Sequence, residues 1–246
     1  MTQAKHVAIV TGAAGTMGRS VVEAFVEAGI TTAAVDINAT ALEPVVAAGN
    51  GLVTPYAFDI SDPAAVQTGA RAIASDLGVV DILINNAGIL SNNKALATTP
   101  EEWNRILAVN LNGAFYLVQQ VLPGMRKKQW GRIVNVSSWA AKCGGLTAGT
   151  AYSVSKAALI GLTFSIAAET TREGITVNGI APAFVRTPMV MEQLSAEKRA
   201  EVEAKIPVGR FCEPEEFAHT VMFLVSEKAG FITGEIVDMN GGFQFD

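Results

Sequence analysis

Cysteine, histidine and charge are all scarce in this 246-residue sequence: two cysteines, two histidines and 17% charged residues, against 50% apolar ones. Cys143 and Cys212 are too few and too isolated for a disulfide framework or a zinc cluster, so a reduced compartment and no metal site are expected. Met1 to His6 holds no long apolar stretch, and no uninterrupted run approaches the ~18 apolar residues of a membrane span. These absences lead to the expectation of a cytoplasmic protein with no membrane partner. The net charge is −5, with acids and bases scattered along the chain, which argues against nucleic acid as a partner. The one dense basic run, Arg126-Lys127-Lys128, ends a helical pattern, where cations complement the helix dipole.

What is present is alternation. Short β-branched runs at His6–Thr11, Thr31–Asp36, Leu52–Phe58, Val80–Ile84, Gly131–Ser137, Ile175–Ile180 and Glu235–Met239 read as strands. Helical patterns separate them at Met17–Ala28, Ala39–Ala48, Pro63–Leu77, Glu101–Arg126, Ala151–Arg172 and Pro214–Ser226. Continuously apolar strands imply a sheet covered on both faces, and strand–helix repetition implies parallel strands. The expected fold is α/β: a doubly wound parallel sheet of about seven strands in one domain over 1–246. Thr187 to Pro207 interrupts the alternation beyond the sixth strand. Ligands sit at the carboxyl ends of strands in such folds, so this segment is a candidate substrate lid.

Thr11-Gly12-Ala13-Ala14-Gly15-Thr16-Met17-Gly18 follows the first strand and opens the first helix. Glycines there let backbone N–H groups approach a pyrophosphate at a helix N-terminus. Asp36 ends the second strand, where a carboxylate can accept hydrogen bonds from the adenine ribose hydroxyls. The same carboxylate would repel a 2′-phosphate. At ~4 Å and an effective dielectric near 20 the repulsion is about 4 kcal/mol, and a third of it costs roughly tenfold in affinity. Neither Ala13 to Met17 nor Ile37 offers a compensating cation, so NAD is the expected cofactor.

Tyr152 and Lys156 stand four residues apart at the start of the helix after the fifth strand, on one helical face. A phenol titrates near 10, and a neighbouring ammonium lowers that value and suits the group to proton transfer.

With these features the chain resembles the short-chain dehydrogenase/reductase family over essentially its whole length. The glycine turn is similar to that family's T-G-x-x-x-G-x-G. Asn85-Asn86-Ala87-Gly88 matches N-N-A-G, Asn110 the helix asparagine, Ser138 the strand-end serine and Tyr152/Lys156 the Y-x-x-x-K pair. Asp59 in Phe58-Asp59-Ile60 matches the acid beside the adenine, and Ala181-Pro182-Ala183 to Thr187-Pro188 resembles the nicotinamide-side stretch. The resemblance implies that Tyr152 exchanges a proton with the substrate oxygen and Ser138 orients that oxygen. It implies that Lys156 holds the nicotinamide ribose and Asn110 keeps a relay water. Gly12, Met17 and Gly18 would line the pyrophosphate, with the Thr16 hydroxyl in reach of a phosphate oxygen, Asp59 would contact the adenine, Val185 and Thr187 would fix the carboxamide, and Gly15, Ile60, Asn86, Ala87, Gly88 and Pro182 would complete the cofactor site. A homotetramer is implied as well. Thr16 stands where the family has its middle glycine, Ala183 replaces a glycine, and the loop from Ser138 to Tyr152 is one residue longer than the family pattern, leaving Ser137 as an alternative to Ser138.

The substrate pocket expected from the family includes Leu90, Trp139, Cys143, Phe184 and Met189, with Gly145, Leu146 and Met191 nearby. An apolar pocket suggests a small hydrophobic secondary alcohol or ketone. Two alternatives stay open: a 3-oxoacyl-thioester reductase acting on an acyl carrier protein, docked by Arg126–Lys128, and a non-catalytic dinucleotide-binding protein. Family members of the first kind mostly use NADPH, which Asp36 disfavours. Lys94 and Lys142 read as exposed loop lysines.

Overall fold

The computed structural model describes residues 6–193 and 195–245. Seven parallel strands form one sheet in the order β3-β2-β1-β4-β5-β6-β7. They are β1 (Val7–Thr11), β2 (Thr31–Asp36), β3 (Val53–Ala57), β4 (Ile82–Asn85), β5 (Gly131–Val136), β6 (Ile175–Pro182) and β7 (Ile236–Met239). The doubly wound sheet expected from the strand pattern is the one observed.

Alternation along β1 divides the interior. Ala8 and Val10 face a core shared with α1 (Thr16–Glu27) and α10 (Pro214–Val225), where Val21, Phe25, Phe217 and Val221 are buried. Val7 and Ile9 face the other core, filled by Val66 and Ile73 of α3 (Pro63–Leu77), Leu117 and Met125 of α5 (Gly113–Lys128) and Ile166 of α7 (Thr150–Thr170). A period of two in the strand thus feeds two helical layers. α2 (Ala39–Ala47) connects β2 to β3 and is capped by the Asn38 side chain. By length and composition α7 could cross a membrane, yet Leu159, Thr163, Ile166 and Thr170 along it are buried in the fold.

The helix read as Glu101–Arg126 is three pieces end to end: α4 (Pro100–Leu107), a π-helical turn at Ala108–Asn112, and α5. The extra residue of a π turn re-aims the side chains on it, and Asn110 lies there. β6 runs two residues beyond the expected end, to Pro182. The interrupting segment folds as α8 (Pro188–Gln193) and α9 (Ala196–Glu203), over a small third core of Val202, Ile206 and Phe211. A short α6 (Ala140–Cys143) follows β5 and was not expected.

The sheet order reverses between β1 and β4, which opens a crevice at their carboxyl ends. One hydroxyl fastens that crevice. Thr11 Oγ1 donates to Ile84 O (3.2 Å) and accepts the backbone N–H groups of Asn86 and Ala87, both at 3.0 Å. The Asn86 amide donates in return to Thr11 O at 2.9 Å. Replacing Thr11 by the isosteric Val removes that acceptor from two amides. Urea unfolding should show a loss of about 2 kcal/mol or more, while Thr11→Ser should lose less than about 1 kcal/mol.

Candidate active site

Gly12, with φ +63°, turns the chain out of β1, and a Cβ there would approach Ala87 Cα to 3.0 Å. Gly18 packs against the same turn so closely that a Cβ would overlap the Gly12 carbonyl oxygen. Gly15 is the N-cap of α1, its backbone extended with φ −74° and ψ 160°. No side chain caps this helix, so its first amides are left for a ligand. Gly12, Gly15, Thr16, Met17, Gly18, Asp36, Asn86, Ala87, Gly88 and Thr187 line a cleft of about 380 Å³. The Asp36 carboxylate stands at its rim, held by the backbone N–H groups of Ala14 and Asn38 at 3.2 Å each.

This combination fits a dinucleotide: two glycines that admit no side chain, uncapped helix amides and an oriented carboxylate at the far end. Asp59 and Ile60 are not among the residues lining the cleft. The Asp59 carboxylate accepts Ser61 N and Oγ at 2.8 and 2.7 Å, and Ile60 is buried against Gly113.

A second cavity continues from the first through Met17, Asn86, Gly88 and Thr187, and takes in Leu90, Ser138, Tyr152, Lys156, Pro182 and Val185. A third, of about 100 Å³, continues from the second and adds Trp139, Leu146, Thr147, Ala148 and Phe184. Ser138 and Tyr152 line both of the latter and so stand where the two meet.

Several bonds fix these groups. Ser138 hydrogen-bonds the Tyr152 phenol and accepts Ala140 N at 3.1 Å. Ser137 turns away and donates to Lys156 O at 2.8 Å, which leaves Ser138 as the serine facing Tyr152. Backbone bonds from Ser137 N to Ile180 O and from Trp139 N to Pro182 O carry the β5–β6 pairing past the strand ends. Lys156 Nζ donates to Val136 O at 2.7 Å and lies 5.8 Å from the Tyr152 ring centre. Asn110 is buried with both amide ends engaged: Oδ1 accepts Ile89 N (2.8 Å), and Nδ2 donates to Ile89 O and Ser155 Oγ (3.0 Å each). Ser155 Oγ in turn donates to Tyr152 O at 2.7 Å. Ser155 was not singled out in the sequence because its serine lies inside the Y-x-x-x-K spacing.

The structure corrects the expected pocket. Cys143 is exposed at the end of α6 and does not line the cavity. The Met189 side chain lies outside the described residues. Trp139 is pinned, its indole N–H donating to Gln244 Oε1 at 2.8 Å and its ring edge-on to Phe243 at 4.7 Å. Lys94 is no idle surface lysine: its ammonium binds Gly145 O (2.9 Å) and Ala148 O (2.7 Å) and holds the loop that supplies Leu146. Lys142 pairs with Asp238. In the basic run Arg126 pairs with Glu169 and Glu173, and Lys128 with Asp81.

Electrostatics also differ from the simplest expectation. Burial pushes the Tyr152 phenol above its usual value, opposed by the Ser138 hydrogen bond, so desolvation outweighs that bond. The same burial lowers Lys156 to about 8. In the unfolded chain this lysine holds its proton to about 10.5. The unfolded state therefore binds more protons between those values, and the stability of the native chain rises with pH across that window. Compared with Lys156→Met by urea unfolding, the wild type should gain up to about 3 kcal/mol between pH 7 and pH 10.5. Parallel pH profiles for the two proteins would refute the buried, easily deprotonated ammonium.

Known proteins resemble this chain across the same span. The family model described as enoyl-(acyl carrier protein) reductase matches residues 12–244. A 3-oxoacyl-[acyl-carrier-protein] reductase of Escherichia coli (strain K12) is 39% identical over 241 residues, 96% of each chain. An acetoacetyl-CoA reductase of Rhizobium meliloti (strain 1021) is 39% identical over 244 residues, 98% of this chain and 99% of the other. Among solved structures, a protein from Brucella melitensis titled short-chain dehydrogenase/reductase SDR:Glucose/ribitol dehydrogenase superposes with a TM-score of 0.91 at 27% identity, covering 98% of this chain and 97% of that one. Sheet order, glycine turn, tyrosine–lysine pair and full-length relatives agree, and the chain belongs to the short-chain dehydrogenase/reductase family of oxidoreductases.

Proposed function

We propose that this oxidoreductase interconverts a 3-oxoacyl thioester and its 3-hydroxy form with NAD(H). The observation that carries the reading is the position of Ser138 and Tyr152 at the junction of cofactor cleft and substrate cavity. The full-length relatives named for 3-oxoacyl and acetoacetyl thioesters favour this substrate over the free alcohol or ketone expected from the apolar pocket. Both substrates present the same reacting unit, a carbonyl oxygen that must gain a proton as its carbon gains a hydride.

A bound nicotinamide dinucleotide supplies the hydride. Gly12, Gly15, Thr16, Met17 and Gly18 would hold its pyrophosphate, Asp36 the adenine-side ribose, and Val185 and Thr187 the carboxamide. Tyr152, whose phenol retains its proton well past neutrality, donates to the substrate oxygen during reduction and takes the proton back during oxidation. Ser138 gives the same oxygen a second hydrogen bond. Lys156 offers a proton source with a value of about 8, close enough to neutrality to refill the phenol. Asn110 and Ser155 act on Tyr152 indirectly, by fixing its backbone. α8 lies beside the cavity, with Val190 on its wall, and α9 backs it through Val202, so that the pair serves as the lid.

Ion pairing of Arg126 and Lys128 leaves Lys127 as the member of that run with no ion-pair partner among the described residues. The surface therefore gives an acidic carrier protein little to dock on there, and a coenzyme A thioester is the substrate form we assign. Phe115, Val154 and Phe164 are exposed on α5 and α7, the faces across which the family tetramer would pack.

Tyr152→Phe should keep NADH affinity by fluorescence titration yet lose more than nine-tenths of the turnover of 3-oxobutanoyl-CoA. Retention of a tenth or more would remove the phenol from the mechanism. In the second test, the kcat/KM ratio of NADH to NADPH should exceed about ten in the wild type and fall towards one in Asp36→Ser. An unchanged ratio would count against the ribose assignment.

A further inference from the structure

Phe184 stands between two cavities. On one side is the substrate cavity of about 100 Å³, bounded by Trp139 and Leu146. On the other is a chamber of about 260 Å³ that also borders on Phe184 and Ala183 and reaches back to Ile206, Val208 and Met239. The ring is held in place from both sides. It stacks on Phe211 with centroids 5.8 Å apart, and meets Trp139 at 6.3 Å and Phe243 at 6.2 Å. Phe211 is fully buried and Ile206 nearly so, both in the small core beneath α9. The charges at the chamber are paired, Arg210 with Glu216 and Asp238 with Lys142, so an apolar guest need not strip a lone ion of water.

We propose that Phe184 is a partition that sets acyl-chain length, and that the mainly apolar chamber behind it is a binding site for the distal methylenes of a longer acyl chain, separated from the substrate cavity while the ring is in place. The proposal deepens the thioester reading and rests on it for the natural substrate. The substrate cavity alone suits a four-carbon 3-oxoacyl group. A longer chain must displace the Phe184 ring from Phe211, which breaks the aromatic stack, or leave its methylenes in water. Either raises the barrier for long substrates and hardly touches the chemistry at Tyr152. Removing the ring joins the two volumes.

The test compares kcat/KM for 3-oxobutanoyl-CoA and 3-oxooctanoyl-CoA. The wild type should favour the four-carbon substrate, and Phe184→Ala should raise the eight-carbon to four-carbon ratio by at least ~10-fold, a modest share of what burying four methylenes can yield. Ile206→Phe added to Phe184→Ala refills the chamber and should return the ratio to within about threefold of wild type. Ile206→Phe alone should leave the wild-type ratio unchanged, since Phe184 stands between the chamber and the substrate. An unmoved ratio in Phe184→Ala, a gain that Ile206→Phe does not reverse, or a changed ratio in Ile206→Phe alone would each overturn the proposal. Should Phe184→Ala fold poorly, Phe184→Leu replaces it, with an expected gain of at least ~3-fold. Failure of the function itself reads differently: the wild type would then turn over neither thioester. The same ratios measured with 2-butanone and 2-octanone would still decide the partition.

Discussion

The site depends on how α7 is fastened to the end of β5. Two bonds run in opposite directions between one residue pair and its neighbours: Ser137 Oγ to Lys156 O, and Lys156 Nζ to Val136 O. Together they fix the distance and rotation of the helix against the strand. Tyr152, one turn earlier on α7, is thereby brought against Ser138, one residue later on the strand end. The fastening requires a buried ammonium, which is costly in an apolar interior unless it is paired or shifts towards neutrality. A lysine lowered to about 8 is the physical consequence.

A second layer holds that fastening in register. Asn85 Nδ2 donates to Asn135 Oδ1 (2.8 Å), and Asn135 Nδ2 to Thr163 Oγ1 (2.9 Å), which ties β4, β5 and α7 through buried side chains. Such bonds are directional, so they resist sliding of helix over sheet in a way that Leu117 or Ile166, packed by contact alone, cannot. The π turn bearing Asn110 completes the frame, because its amide spans Ile89 on the loop after β4 and Ser155 on α7. Tyr152 is thus held by a network that starts at the carboxyl ends of two strands.

Much of this was legible in the residues. Parallel sheets covered on both faces write themselves as continuous apolar strands, so all seven were found, with boundaries in error by a residue or two where capping and pairing decide. The glycine turn, Asp36 and the tyrosine–lysine spacing were visible because each chemistry constrains residue type. What escaped detection depends on tertiary partners. The π turn carries no local signature in Ala108–Asn112, and Ser155 is an unremarkable helix serine until Asn110 is set beside it. Lys94 read as solvated because nothing in sequence places Gly145 and Ala148 at its ammonium. Cys143 is placed in the pocket by the family resemblance, whereas α6 turns it outward. The phenol's direction of shift was misjudged for the same reason: periodicity reports a neighbouring charge and says nothing of how much water has been removed.

The two large cores and the small one divide the labour of the molecule. Ser138, Tyr152, Lys156 and Asn110 sit on elements whose apolar faces belong to the extensive cores on either side of the sheet, so moving any of them disturbs many contacts at once. Phe184, Val190 and Met191 pack instead on Val202, Ile206 and Phe211, a small cluster separate from those two cores. Trp139 bridges the two regions, anchored on the strand side through Pro182 O and on the other by Gln244 near the carboxyl terminus. A rigid reacting centre beside a small, separable apolar cluster is the arrangement expected where the proton chemistry must stay constant and the fit of the substrate's apolar portion is decided elsewhere. Proton transfer tolerates errors of a fraction of an ångström, while a methylene pocket tolerates far more, and the packing follows that difference.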